Sequence, residues 1–237
     1  MVYGVIAAGE GSRLAAEGIN MPKPLVKIDG EMLIDRLLRI FMACYATEIV
    51  VICNDLTPMV ADHLQFVADN GLHGCKVPLR LVVKTTSSSM HSFHEISRFI
   101  NADRFVVTTV DTIFREGEFR QYIECFRELK CDGLFGVTDY IDDEKPLYVA
   151  TDNKLNIQGF YDECPSDCRF ISGGIYGLTP EAFGTLERCV KHGEARMRNF
   201  QRALVRERFQ LRAFPFSKVL DIDHASDISK AEAFLQS

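Results

Sequence analysis

An excess of positive charge is missing from this sequence: 27 Lys and Arg stand against 33 Asp and Glu, a formal net charge of −6. Nucleic-acid backbones are held by clustered cations, so a broad nucleic-acid footprint is excluded and any phosphate site must be local. Also missing are a charged-then-apolar leader and any apolar run near the roughly 20 residues that span a bilayer, so no membrane partner and a cytoplasmic location are expected. The eight cysteines form no CxxC pair, and no His or Cys cluster stands near Cys164 and Cys168 to complete a zinc site. Reduced thiols acting as small core residues are the expectation. Repeats, low-complexity tracts and linker-like segments are absent as well. With 47% hydrophobic content, residues 1–237 therefore read as one domain with a substantial core.

Two further absences narrow the most informative stretch, VYGVIAAGEGSRLAAEGINMPKPL at residues 2–25. Its glycine-rich bend has no Gly-Lys-Ser/Thr, so it is not the usual P-loop, and Leu14 stands where a dinucleotide fingerprint would place its third glycine. What is present is an apolar run over residues 2–8, apolar on both parities like a parallel strand covered on both faces. Gly9 and Gly11 then permit positive φ angles and close backbone approach. Main-chain N–H groups from Ala8 to Ser12, backed by Arg13 and Lys23, suit phosphate oxygens.

The remaining pattern alternates strands and helices. Strands are expected over 48–53, 79–83 and 104–110, with helices over 31–46, 57–70 and 89–100. Thr57-Pro58 has the form of an N-cap followed by proline at the first helical position. The second half changes character: a helix over 118–129, strands over 133–137, 147–151 and 155–161, the last two joined as a hairpin through Asp152-Asn153, and a strand over 170–178. Helices over 179–190, 195–208 and 227–235 and a strand over 209–216 complete the chain. The expected sheet is therefore mixed.

Several residues stand where chemistry is done. Asp111 ends a buried strand, and Asp221 and Asp223 follow another strand and a short loop. Ligands of open α/β sheets gather at the carboxyl ends of strands, so these acids can converge. Carboxylates suit Mg²⁺, which prefers oxygen ligands shared with phosphates and water; turn capping is the alternative for each. Thr86, Ser88 and Ser92, in and after a run of hydroxyl residues at 85–89, offer groups for a nucleobase or ribose, while Ser88 or Ser89 equally suits an N-cap. His91 and His94 lack a third ligand and fit packing or surface roles. Arg198, Arg202 and Arg206 form a basic row at four-residue spacing that reads as a solvated face.

Gly-x-Gly-Ser-Arg-Leu followed by Pro22-Lys23-Pro24-Leu25 resembles the N-terminal signature of the sugar-1-phosphate nucleotidylyltransferases, including phosphocholine-type cytidylyltransferases. The resemblance covers nearly the whole chain. It implies a Rossmann-like three-layer α/β/α fold with a mixed, mostly parallel sheet, as in nucleotide-diphospho-sugar transferases. It also implies transfer of NMP from a nucleoside triphosphate to a sugar 1-phosphate or similar phosphorylated acceptor, with release of pyrophosphate. Arg13 then holds the leaving phosphates, Lys23 the α-phosphate, and Asp111 with Asp221 or Asp223 a Mg²⁺. Gly174 and Tyr176, in Gly173-Gly174-Ile175-Tyr176, match a strand that helps form the acceptor pocket. One departure stands out: Glu163-Cys164-Pro165 replaces the Glu-Lys-Pro whose lysine reaches the acceptor phosphate. Lys145, Lys218 or the Arg198/Arg202 row are the candidate substitutes. An alcohol phosphate such as phosphocholine is thus an alternative acceptor, and a nucleotide-binding regulator without turnover is the alternative from another class.

Overall fold

The structure is a computed structural model that describes residues 1–142, 144–166 and 168–237. In chain order its first half runs β1 (Val2–Ala7), α1 (Ser12–Ala16), a 3-10 turn (Lys23–Leu25), β2 (Lys27–Ile28), β3 (Glu31–Met32), α2 (Leu33–Ala43), β4 (Glu48–Cys53) and α3 (Pro58–Asn70). β5 (Leu79–Val83), α4 (Ser89–Ser97), β6 (Phe105–Thr109), β7 (Thr112–Ile113) and α5 (Glu116–Glu128) follow. The rest is β8 (Gly133–Thr138), β9 (Tyr148–Thr151), β10 (Ile157–Tyr161), β11 (Phe170–Leu178), α6 (Ala182–Lys191), α7 (Met197–Arg206), β12 (Leu211–Phe216), β13 (Leu220–Asp221) and α8 (Ala225–Gln236).

Nine strands form one sheet whose main path is β10-β9-β11-β6-β1-β4-β5, with β8 on β11 and β12 on β8. β1 pairs in parallel with β4 and β6, β4 with β5, and β12 with β8, so six of the nine strands have a parallel neighbour. β1 lies in the middle because both its faces are apolar. Tyr3, Val5 and Ala7 join one core layer, and Val2 and Ile6 join the other. The first layer packs α2, α3, α5 and α8 through residues such as Phe41, Leu64, Phe119 and Phe234; the second packs α4, α6 and α7 through Phe93, Leu186 and Phe200. Each fully buried side chain of this size contributes about 1.5–3 kcal/mol. Helices on both faces of a mixed sheet make the three-layer arrangement that the sequence implies.

Differences from the expected elements have local causes. The helix expected from residue 31 starts at Leu33, because Glu31-Met32 pairs with Lys27-Ile28 around Asp29-Gly30, both at positive φ (49° and 83°). The sequence marks Asp29-Gly30 as a turn, but the return strand Glu31-Met32 fell inside the expected helix. The connection between β9 and β10 is longer than Asp152-Asn153. Asp152 Oδ1 accepts from the N–H groups of Lys154 and Asn156, and Leu155 takes a φ of 62°. The short pieces α1, β7 and β13 carry too few residues to show a period.

β11 determines where the sheet opens. Phe170 and Ile171 pair with β9, whereas residues 175–178 pair with β6, and the register on β8 shifts between Ser172 and Tyr176. Gly173-Gly174 occupies the change of partner. A Cβ on Gly173 would stand 3.2 Å from the Gly136 carbonyl oxygen, and one on Gly174, at φ +69°, would stand 3.1 Å from Thr112 Oγ1. These glycines allow close approach of the chain to itself. Gly174→Ala is expected to lower the melting temperature and weaken the β7–β13 pairing, since both the φ and the contact oppose a side chain. Faster amide exchange at Thr112 and Ile113 checks this; unchanged exchange and melting would refute it.

Candidate active site

Parallel strands point their carboxyl ends the same way, so β1, β4, β5 and β6 deliver their following residues to one edge. There, Ala8, Gly9 and Gly11 after β1, Asn54 after β4, Thr85 to Ser89 after β5 and Asp111 after β6 line a cavity of about 400 Å³. Gly11 takes φ 64° and caps α1, a left-handed backbone that favours glycine, and its Cβ position would lie in ordinary contact with Lys23 Cβ at 3.5 Å. Among the described residues, the N–H groups of Gly9, Glu10, Gly11 and Ser12 donate to no chain acceptor, leaving them available for anionic oxygens. Ser12 otherwise opens α1 and is not on the cavity wall.

Lys23 is the hub. Its Nζ donates to Asp111 Oδ2 and Asp223 Oδ1, each at 2.8 Å, and Arg13 Nη1 reaches Asp223 Oδ2 at 2.7 Å. Residues 13, 23, 111 and 223, from the bend, the following loop, the end of β6 and the start of the tail, thus meet at one point. Lys23 and Asp111 are mostly covered (side chains 11% and 18% exposed), Asp223 and Arg13 less so (41% and 60%). Burial alone would lower the Lys23 pKa, but the charges of Asp111 and Asp223 raise it above the ordinary lysine value. Burial likewise opposes ionisation of Asp223, yet Lys23 and Arg13 hold its carboxyl below the usual range. The raised lysine contributes stability that is complete below about pH 10 and is lost as pH rises through its folded value. The depressed acid contributes stability that is complete above about pH 4 and is lost as pH falls through its own.

Asp221 ends β13, paired with Thr112 of β7, and the N–H of Ile222 donates to the Asp111 carbonyl at 3.2 Å. This two-residue ribbon carries the tail to the end of β6. Among the described residues no three His, Cys, Asp or Glu side chains gather closely enough to hold an ion, so Asp111, Asp221 and Asp223 do not form a three-acid cluster. Asp111 and Asp223 share a partner, and Asp221 lies at the mouth of a second cavity of about 640 Å³. Arg13 and Asp223 line that cavity, and the Lys23–Asp223 contact links it to the first, which Lys23 and Asp111 line. The walls of the second are the start of β11, the loop after β8, the start of α7 and the turn into α8.

The hydroxyl run serves both of its readings. Ser88 caps α4, accepting from the His91 N–H, and its Oγ also meets His91 Nδ1 at 2.8 Å. Thr86 Oγ1 lies 2.6 Å from Ser92 Oγ, and Thr86, Ser88 and Ser92 all line the first cavity. Gly174 and Tyr176 do not line the second. Tyr176 is 6% exposed, packs on Phe135 at 5.5 Å, and faces Ser172 and Gln201; burial, with Asp221 and Asp111 nearby, pushes its hydroxyl pKa up. Gly173 lines it instead. Of the candidate lysine substitutes, Lys145 and Arg198 line the second cavity, whereas Arg202 pairs with Asp162 and Lys218 sits over the Tyr140 ring.

Sequence reasoning missed Asn54. It is 2% exposed, donates through Nδ2 to the Ala8 carbonyl, and accepts through Oδ1 from the Thr57 N–H, so it ties the bend to the start of α3. The available signal was a polar residue directly after a buried strand at the sheet's carboxyl edge. Also missed was the Glu17–His224 pair: Glu17 Oε1 meets His224 Nδ1 at 2.6 Å, and Oε2 accepts from the Ala225 N–H at 2.6 Å. It ties α1 to the first turn of α8. The Glu17 contact raises the His224 pKa, so the stability it contributes is complete below about pH 6.5 and is lost as pH climbs through the raised value. His224 should titrate above 6.5 by NMR and return toward it in Glu17→Gln; an unmoved midpoint would refute the contact.

Half of the eight thiols, Cys44, Cys53, Cys131 and Cys189, are buried, and burial pushes the Cys53 thiol up to about 11. No helix among the described residues is long and apolar enough to cross a membrane.

The inositol-1-phosphate CTP transferase from T. maritima superposes with a TM-score of 0.81 at 17% identity, over 100% of this chain and 96% of that one. UDP-glucose pyrophosphorylase complexed with UDP-glucose gives 0.80 at 16%, over 98% and 97%. HddC from Yersinia pseudotuberculosis gives 0.74 at 19%, over 98% of each chain. At such identities the likeness is one of fold. The family model of the MobA-like NTP transferase domain, however, matches residues 4–206, which span β1 to α7 and include Arg13, Lys23 and Asp111. By that match the chain belongs to the MobA-like NTP transferase family.

Proposed function

We propose that residues 1–237 act as one catalytic unit, transferring NMP from a nucleoside triphosphate to a sugar 1-phosphate or similar phosphorylated small molecule. The observation that carries this is the meeting of Arg13, Lys23, Asp111 and Asp223 between the two cavities. One cavity, with backbone N–H groups and hydroxyls, suits a nucleotide; the other, rich in charge, suits the acceptor. A phosphate oxygen of the acceptor attacks the α-phosphorus, the bond to the bridging oxygen breaks, and pyrophosphate leaves without a covalent enzyme intermediate. Such chemistry asks the protein mainly to align reactants and offset charge. Lys23 offsets charge at the α-phosphate, Arg13 receives the leaving phosphates, and the bend from Ala8 to Ser12 cradles the triphosphate. Thr86, Ser88 and Ser92 contact base or ribose.

The donor set fits Mg²⁺: two carboxylate oxygens, from Asp111 and Asp223, already face a single positive charge on Lys23. These two residues would hold the ion, with Asp221 the other candidate, and when bound it neutralises phosphate oxygens. The second reading, an alcohol phosphate such as phosphocholine as acceptor, draws on Cys164, which replaces the lysine of Glu-Lys-Pro and lines neither cavity. A pyrophosphate-release screen of the common triphosphates against sugar and alcohol phosphates tests both. Release with a sugar 1-phosphate supports the first reading, and release with an alcohol phosphate alone supports the second. Tight nucleotide binding without release across the panel would overturn both in favour of a regulatory role.

A further inference from the structure

The cations on the walls of the second cavity are almost all committed to groups of the chain itself. Arg13 is held by Asp223, Lys230 by Asp142 and Asp227, and Arg198 by Asp162 and the Lys145 carbonyl; Lys145 is engaged as well. Arg196, the residue just before α7, is different. Among the described residues its guanidinium has no carboxylate, carbonyl or ring partner, and it is exposed on the cavity wall.

Resting on the reading of this cavity as the acceptor's, we infer that Arg196 is the residue that binds the acceptor's phosphate. A phosphate monoester carries between one and two negative charges near neutral pH, and a guanidinium fork meets two of its oxygens at once. For Arg196 that contact requires no ion pair to be broken. Arg198 would have to leave Asp162, and Lys230 would have to leave two carboxylates. Arg202 also pairs with Asp162 and donates to the Phe160 carbonyl, away from the cavity. Asp162 thus holds both Arg198 and Arg202, while Arg196 lines the cavity with no such partner among the described residues. Cys164, in the turn after β10, supplies no charge to either cavity.

Two readouts test this. ¹⁵N-labelled protein titrated with inorganic phosphate should show saturable shifts at the amides of residues 195–198, weakened at least tenfold in Arg196→Ala, or about 1.4 kcal/mol. Arg196→Lys, with the charge but not the fork, should fall between. With any phosphorylated acceptor that supports turnover, Arg196→Ala should raise its KM at least tenfold and leave the triphosphate KM within twofold. Absence of phosphate shifts at 195–198 in the wild type, equal shifts in the alanine variant, or equal rises in both KM values would overturn the assignment. Phosphate binding through Arg196 with no turnover on any acceptor would overturn the transferase reading and the acceptor role together, leaving Arg196 a phosphate ligand alone.

Discussion

Asp111→Asn is expected to lower pyrophosphate release about 10²- to 10³-fold, equivalent to roughly 3 to 4 kcal/mol at the barrier, with the protein still folded. Asparagine keeps the shape of the side chain and an oxygen that can accept from Lys23, so the substitution isolates the charge. That charge is 18% exposed and lies 2.8 Å from the Lys23 ammonium, in a setting where water screens it poorly. Arg13→Ala should lose a comparable amount for a different reason. It removes the cation proposed for the leaving phosphates and leaves Asp223 with Lys23 alone. Steady-state release by purified variants with wild-type circular dichroism checks both, and near-normal turnover in either would remove that residue from the machinery.

Phe119→Ala should cost about 3–5 kcal/mol of folding stability, a large share of the 5–15 kcal/mol that a domain commonly has. Phe119 is fully buried in α5 and touches rings from three other places in the chain: Phe114 at 4.7 Å, Phe41 of α2 at 5.6 Å and Tyr3 of β1 at 6.2 Å. Tyr3 and Phe41 are themselves stacked at 4.2 Å, and the Tyr3 hydroxyl donates to the Cys44 carbonyl. Rings pinned from several elements cannot move in to fill the space left by the lost ring. Urea unfolding measures the loss, and a value under about 1.5 kcal/mol would show that the site collapses after all.

The parallel half of the sheet was legible because its strands are buried on both faces, and a run such as EIVVIC at 48–53 has no other economical reading. Asp111 was legible for a similar reason, since it ends such a strand, whereas Lys23 was legible through the Pro-Lys-Pro resemblance. Partnership was not legible. Nothing in a linear sequence says that Asp223 rather than Asp221 meets Lys23, because that choice is made by the two-residue ribbon of β7 and β13. Tyr176 shows the converse. It sits in a motif that points to the acceptor, yet strand alternation turns it into the core against Phe135 while Gly173 faces the cavity. Asn54 and Glu17 act through contacts far along the chain or through the backbone, and neither leaves a periodic mark.

The tail is stitched to the glycine bend twice, through Asp223 to Arg13 and Lys23 and through Glu17 to His224 and Ala225. Residues 221–227 leave the ribosome after every strand of the central sheet. A nascent chain can therefore bring the strands of the central sheet together while Arg13 and Lys23 still lack Asp223. The contacts that fix Arg13 and Lys23 become complete only as synthesis passes this segment, so the edge of the sheet proposed to hold phosphates is among the last parts of the molecule to be finished.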